Sequence, residues 1–332
     1  MLRKPRLPAP RGRKGKKKPA LLLAALVICF IGVMVMLGRL AGGGRNAAPP
    51  PAPADESLGE PLIAPFYPTF DTLSRLNGLD DLKRYLYGVD DTAYVAEGDL
   101  DVRALAGADL TTDLSGPEPK ILVFHTHSRE AFADSRPGAL EDTIVGVGQK
   151  LCEILVDKYH ISVVHDVGQY DVVNGEERRD GSYERMAPAV EALLRKYPSI
   201  EVVVDLHRDG VPDGARLVAT VGGAQTARLM LFDGILSLND NGSREKPEGL
   251  DNPYLRDNLA MSLQMQLVAN ELYPGLMRRI YLKPYRYSLF MKPKSILVEV
   301  GAQTSTVQEA KNAMGPLAEI LTGTLSGKYR RG

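Results

Sequence analysis

Five histidines occur in this 332-residue chain, and three of them stand where an apolar run gives way to polar residues. The segment "ILVFHTHSRE" (121–130) ends four apolar residues in a cluster that holds His125, His127, Arg129 and Glu130. "EVVVDLH" (201–207) ends in His207, with Arg208 and Asp209 next, and "SILVEV" (295–300) carries Glu299 just before Gly301. His127 and Glu130 make an H-x-x-E, a spacing that lets an imidazole and a carboxylate converge on one cation. Two histidines and one carboxylate, with a fourth position open to water, form a ligand set used by catalytic zinc. A further carboxylate beside that position then serves as general base and acid. A lone H-x-x-E is common by chance, and strand-end histidines can simply cap a sheet by hydrogen bonding. The coincidence at three separate apolar runs favours the metal. His160 and His165 flank another run without an obvious partner and read as structural.

The elements that must position these residues follow from the apolar patterning. "KILVF" (120–124), "ISVVH" (161–165), "EVVVDLH" (201–207), "ARLVATV" (215–221), "RLMLF" (228–232) and "SILVEV" (295–300) are short β-branched runs of strand length. Helical spacing recurs between and after them. Ile144, Val147, Leu151 and Leu155 form one stripe, and Met186, Val190, Leu193 and Leu194 another. Leu259, Leu263 and Leu267 predict a third helix, and a fourth is expected from Val307 to Leu321. Near-continuous apolar strands alternating with amphipathic helices predict an α/β fold, a mostly parallel sheet covered by helices on both faces. Sites in such sheets form beyond the carboxyl ends of the strands. The histidines lie there.

Charge is balanced overall, with 41 basic and 41 acidic residues, but it is not evenly spread. Residues 1–45 hold eleven Lys and Arg and no acid, leaving 30 basic against 41 acidic residues in the remainder. An acidic main body argues against nucleic acid as its partner. The basic run leads into "ALLLAALVICFIGVMVMLG" (20–38), nineteen uncharged residues, close to the number that spans a bilayer as a helix. The run exceeds the h-region of a cleaved signal peptide, and no clear A-x-A site follows. The expectation is a single-pass cell-membrane protein with a cytoplasmic basic tail (1–19), an anchor (20–38) and an extracytoplasmic remainder. A Pro/Ala/Gly-rich tether (41–65) and a membrane-proximal collar (66–119), with helices over "LDDLKRYLYG" and "DVRALAGADL", would precede the main domain (120–328). Cys29 and Cys152 offer no structural zinc pair, and Cys152 reads as core filling.

Taken with "RYLYGVD" and "GSYERM", the segments "ILVFHTHSREAF", "EVVVDLHRDGV" and "SILVEVGAQTSTVQEA" resemble the stage II sporulation protein P family over most of residues 70–325. The resemblance implies an N-acetylmuramoyl-L-alanine amidase-like fold and a zinc-dependent peptidoglycan hydrolase. Such an enzyme cuts the amide between muramic acid and the stem peptide, and this family is also credited with cutting peptide cross-links. It further implies action during engulfment, from the mother-cell engulfing membrane, with stage II sporulation proteins D and M as partners. By position, His127 and His207 fall on ligand histidines and Glu299 on the catalytic glutamate. Glu130 is the third ligand as in related zinc carboxypeptidases, and Glu141 is the alternative, placed as in ordinary cell-wall amidases. His125 is a ligand or a supporting group. The chain lacks the Gly-His-Gly-Gly of ordinary amidases. Arg208, Arg185 and Arg286 are candidates for holding stem-peptide carboxylates. "RRDGSYERM" also places Arg179, Ser182 and Tyr183 in one loop, and Tyr287 precedes the Glu299 strand. The rival readings are a zinc carboxypeptidase or deacylase on the same scaffold, and a non-catalytic cell-wall-binding module.

Overall fold

The computed structural model describes residues 65–330, so the basic tail, the apolar run 20–38 and nearly all of the tether lie outside the described residues. Among the described residues no helix is long and apolar enough to cross a membrane. In chain order the strands are β1 (Tyr87–Val89), β2 (Ile121–Phe124), β3 (Val163–His165), β4 (Val172–Val173), β5 (Glu176–Glu177), β6 (Val202–Asp209) and β7 (Val218–Val221). There follow β8 (Ala224–Ala227), β9 (Leu229–Gly234), β10 (Leu238–Asp240), β11 (Ser243–Glu245), β12 (Ile280–Lys283) and β13 (Lys294–Ala302). The helices are α1 (Gly78–Tyr85), α2 (Val102–Gly107), α3 (Ile144–Asp157), α4 (Ser182–Lys196), α5 (Leu255–Leu272), α6 (Val307–Asn312) and α7 (Met314–Leu325).

Seven strands build the central sheet in the order β1-β12-β9-β13-β6-β2-β3. All neighbours pair parallel except β13 and β9. That single reversal arises because β12 and β13 are joined by a loop (284–293), whereas a parallel return needs a long crossover. The expected α/β class and mostly parallel sheet are therefore present. One face packs on α3, α5 and α7 through a core that includes Ile121, Val123, Val204, Leu206, Val298 and Leu317. On the other, α4 covers Leu122, Phe124 and Val203 with Met186 and Val190.

Three elements differ from expectation. The run 215–221 gives β7, which turns at Gly222 and Gly223, both at positive φ, and pairs with β8 outside the main sheet. The helix expected over 307–321 is broken at Ala313 into α6 and α7. The segment 66–119 holds a strand that was not expected. It supplies the edge strand β1 and packs α2 on α5, within one compact unit of the described residues. Cys152 is a buried free cysteine whose thiol is pushed up to about 12 by burial, as core filling requires.

A buried acid on the α5 face has no counter-charge among the described residues. Asp233 on β9 is buried, accepts a hydrogen bond from Ser262 on α5 (3.0 Å), and has no partner for Oδ2. Burial pushes its carboxyl up to about 7. An unfolded aspartate titrates near 3.9, so the native state holds this proton more tightly and stability falls as pH rises from about 4 to about 7. Asp233→Asn keeps the Ser262 bond and has nothing to ionise. Between pH 5 and pH 8 the parent chain should lose about 3 kcal/mol relative to this variant, read by urea unfolding. Parallel pH profiles for the two proteins would refute this.

Candidate active site

Strand β2 ends at Phe124, and residues 126–129 turn away from the sheet edge. Two buried aspartates pin this turn. Asp205 accepts from the Thr126 backbone N–H (2.9 Å) and hydroxyl (2.7 Å), and Asp171 accepts from the Ser128 hydroxyl (2.6 Å) and the Arg129 N–H (2.9 Å). The turn delivers His127 to the α4 face of the sheet, where its ring lies 5.3 Å from that of His207, centroid to centroid, and 5.8 Å from that of Tyr183.

Sheet register does the rest. Asp205 and His207 alternate on β6 and so share a face, and Glu299 on β13 pairs directly with His207. After Glu299 the ladder slips by a bulge, with Gly301 at φ 60. A Cβ there would come within 2.4 Å of Ser305 Oγ, so the bulge requires glycine. Bulges re-aim strands beside active sites.

His207 is buried between two carboxylates: Nε2 lies 2.8 Å from Asp205 Oδ1 and Nδ1 lies 3.4 Å from Glu130 Oε2. The Asp205 contact is misaligned, and Nε2 has no hydrogen-bond partner. Burial would depress His207, but Asp205 and Glu130 overcome it and hold the imidazole well above its usual range. Glu130 also receives the Arg208 backbone N–H (2.8 Å) and the Arg179 guanidinium. Burial opposes ionisation of Glu130 and Asp205, yet the charged His207 holds both carboxyls below their ordinary values. His127 goes the other way. Burial, reinforced by His207, lowers it to about 4, so its ring is neutral at pH 7, and its Nδ1 is buried without a partner. Glu299 Oε2 is likewise buried and unpartnered, and burial pushes that carboxyl up to about 8.

These features bear on a metal. Among the described residues no three His, Cys, Asp or Glu side chains stand as a ready-made ligand group. The donor chemistry nonetheless fits a cation. Two buried carboxylates flank an imidazole that takes up positive charge, and a neutral imidazole beside it has an orphaned nitrogen. The 3.4 Å between His207 Nδ1 and Glu130 Oε2 is long for a hydrogen bond. It is close to the roughly 3.3 Å that separates two ligands of a tetrahedral zinc. Asp205, beside the other nitrogen of His207, stands where metal-binding histidines find the carboxylate that fixes their ring.

The structure thus brings His127, Glu130, His207 and Glu299 together. It does not bring in the other candidates. His125 points to the opposite face: its Nδ1 donates to the Leu206 carbonyl (3.0 Å), its Nε2 faces His165 Nε2 (3.0 Å), and its ring fills the space left by Gly148. Glu141 is exposed in a short 3₁₀ turn (Leu140–Asp142) and pairs with Arg136 at 2.8 Å. Arg185 spends its guanidinium on the carbonyls of Tyr170, Asp180 and Arg178, which shapes the loop before α4. Arg286 stacks on Phe290 and donates to the Asp251 carbonyl (3.0 Å). Arg208 adjoins the site, but its Nε donates to the Ala131 carbonyl (2.8 Å). Sequence reasoning missed Asp205 and Asp171. Asp205 carries a signal, since it lies two residues before His207 on the same strand, whereas Asp171 carries none.

Compared with known proteins, the chain matches the family model described as stage II sporulation protein P over residues 88–322. No curated protein sequence matches it. Among solved structures, it is similar to an N-acetylmuramoyl-L-alanine amidase from Clostridium difficile 630, at 15% identity and TM-score 0.39, covering 65% of this chain and 100% of that one. It is also similar to the CwlD amidase from Clostridioides difficile in complex with the GerS lipoprotein, at 13% identity and TM-score 0.36, covering 63% and 98%. The apo amidase Ami1 from Mycobacterium abscessus gives 11% identity and TM-score 0.36, over 63% and 98%. The matched span begins inside β1, ends inside α7 and takes in all three strand ends that carry the site, so the chain belongs to the stage II sporulation protein P family.

Proposed function

We propose that this chain is a peptidoglycan hydrolase that cleaves the N-acetylmuramoyl-L-alanine amide, and peptide cross-links as a second activity, during engulfment in sporulation. One observation carries the chemistry: the unpartnered Glu299 Oε2 stands in register with His207, whose ring lies 5.3 Å from that of His127. His127, His207 and Glu130 would hold zinc, which supplies the Lewis acidity that polarises an amide carbonyl. In its ionised form, Glu299 takes the proton of the attacking water at Oε2 as the water oxygen bonds to the carbonyl carbon. It then passes that proton to the leaving nitrogen as the carbon–nitrogen bond breaks. Arg208 and the Thr126–Asp205 bonds fix the two walls of the site around that exchange.

Digesting purified sacculi and weighing the products tests the reading. Released stem peptides with a free N-terminal alanine are expected. Products trimmed only at peptide C-termini would support the carboxypeptidase alternative, and undigested sacculi would leave only a binding module. The proposed setting is the mother-cell engulfing membrane, with residues 20–38 as anchor and stage II sporulation proteins D and M as partners by family resemblance. External protease on protoplasts should then release the domain by cutting in the tether, and a protected domain would refute that topology.

A further inference from the structure

An aromatic file leads out of the site from His127. Tyr183 meets His127 edge to face, and Tyr287 meets Tyr183 at 5.7 Å between ring centroids. Tyr287 also packs edge to face on Phe232 at 4.7 Å, and Tyr285 follows at 6.5 Å with 45% of its surface exposed. The loop that presents these rings is costly to build. Tyr287 sits at φ 49, a left-handed conformation that a bulky residue avoids. Gly234 accepts the loop only because it has no side chain, since a Cβ there would lie 1.9 Å from the Tyr285 carbonyl oxygen. Leu289 in the Phe232–Leu297 cluster and the Arg286–Phe290 stack hold the loop down. Strain of this kind persists where the surroundings over-determine it, and it collects at ligand-binding positions.

We propose that Tyr285 and Tyr287 form a subsite for the pyranose rings of the glycan strand. The proposal rests on the peptidoglycan reading above and adds an orientation to it. Charge decides between glycan and peptide. Near the wall, the Asp90 carboxylate is neutralised by Lys283 at 2.9 Å and bonded by the Tyr281 hydroxyl at 2.9 Å. That leaves tyrosine faces and hydroxyls, with the Arg286 guanidinium between them stacked on Phe290 and donating to the Asp251 carbonyl. A stem-peptide carboxylate would have to draw Arg286 out of those contacts. A sugar ring offers an apolar C–H face to the aromatic plane, and hydroxyl and N-acetyl groups to the phenols. On the Glu130 side, Arg179 pairs with Glu130 and Glu177, and its half-exposed guanidinium keeps surface open to a peptide carboxylate. The glycan therefore lies over Tyr285 and Tyr287, and the stem peptide leaves toward Arg179.

Two variants test this in the full-length chain. Tyr285→Ala removes an exposed ring, and Tyr287→Asn removes a ring while keeping a residue that tolerates positive φ. Calorimetric titration would use peptide-free glycan strands and, separately, free stem peptide. Each variant is expected to bind glycan about tenfold more weakly, the scale of one lost aromatic contact, with stem-peptide binding unchanged. On sacculi, KM should rise while kcat holds. Unchanged glycan affinity in both variants overturns the proposal. A parent chain that binds stem peptide but not glycan also overturns it and leaves the hydrolase reading standing. Failure to bind either fragment or to digest sacculi removes both.

Discussion

Glu299→Gln is expected to slow amide hydrolysis by about 10²–10⁴-fold, the usual contribution of a positioned general acid–base group. The substitution keeps side-chain volume and hydrogen-bonding reach but replaces the oxygen that would accept a proton with an amide N–H₂. Structural damage should be small. Glu299 Oε2 has no hydrogen-bond partner to lose, and a neutral amide ends the burial penalty that pushes the carboxyl up to about 8. Digestion of sacculi, metal content and thermal unfolding should be measured on the same preparation. Retained metal and fold with lost hydrolysis identify Glu299 as the proton carrier. Loss of metal would make it a ligand. Hydrolysis at the parent rate would move the base elsewhere, to Glu130 first because of its contact with His207.

The site was legible in sequence where strand ends deliver it, and hidden where register or long loops do. His207 and Glu299 were readable as strand-end polar residues, but nothing in the sequence says that they face each other. β13 inserts between β9 and β6, and strand order of that kind is a property of three-dimensional packing. His125 and His127 show a different limit. In an unbroken strand, residues two apart share a face. Here β2 stops at Phe124 and the turn at 126–129 sends His127 to the α4 face, while His125 stays against Gly148 of α3. Only the Asp205 and Asp171 bonds reveal that turn. Asp171 and Arg179 reach the site from the irregular stretch around β4 and β5, where no periodicity marks which residue points inward. The edge strand β1 escaped because Tyr87–Val89 is three residues long and contains a glycine. The helical stripes on α3, α4 and α5 were readable because burial on one face imposes a 3.6-residue period.

The purified chain should carry about one zinc, the complement of a mononuclear catalytic site, and His127→Ala or His207→Ala should abolish it. Both effects follow from the electrostatics of the site. Without a cation, Glu130 and Asp205 are two buried carboxylates balanced by a protonated His207, the partly exposed Arg179 and the nearby Arg208. Removing His207 leaves the two carboxylates facing each other, so the variant should lose stability as well as metal. His127→Ala removes a neutral ring with an orphaned nitrogen, and its fold should survive. Glu130→Ala should also lose the metal, whereas Glu141→Ala should keep it, since Glu141 is exposed and paired with Arg136. Elemental analysis decides between them, and a metal-free Glu141→Ala beside a loaded Glu130→Ala would reverse the assignment. Asp205→Asn separates holding a ligand from being one. Asn Oδ1 can still accept from the Thr126 N–H and lie beside His207 Nε2, but the negative charge behind the imidazole is gone. Such a change behind a metal ligand typically weakens affinity by about 10–100-fold without erasing it. Full zinc loss in Asp205→Asn at saturating metal would instead place Asp205 among the ligands, and an unchanged affinity would mean that His207 needs no support from it.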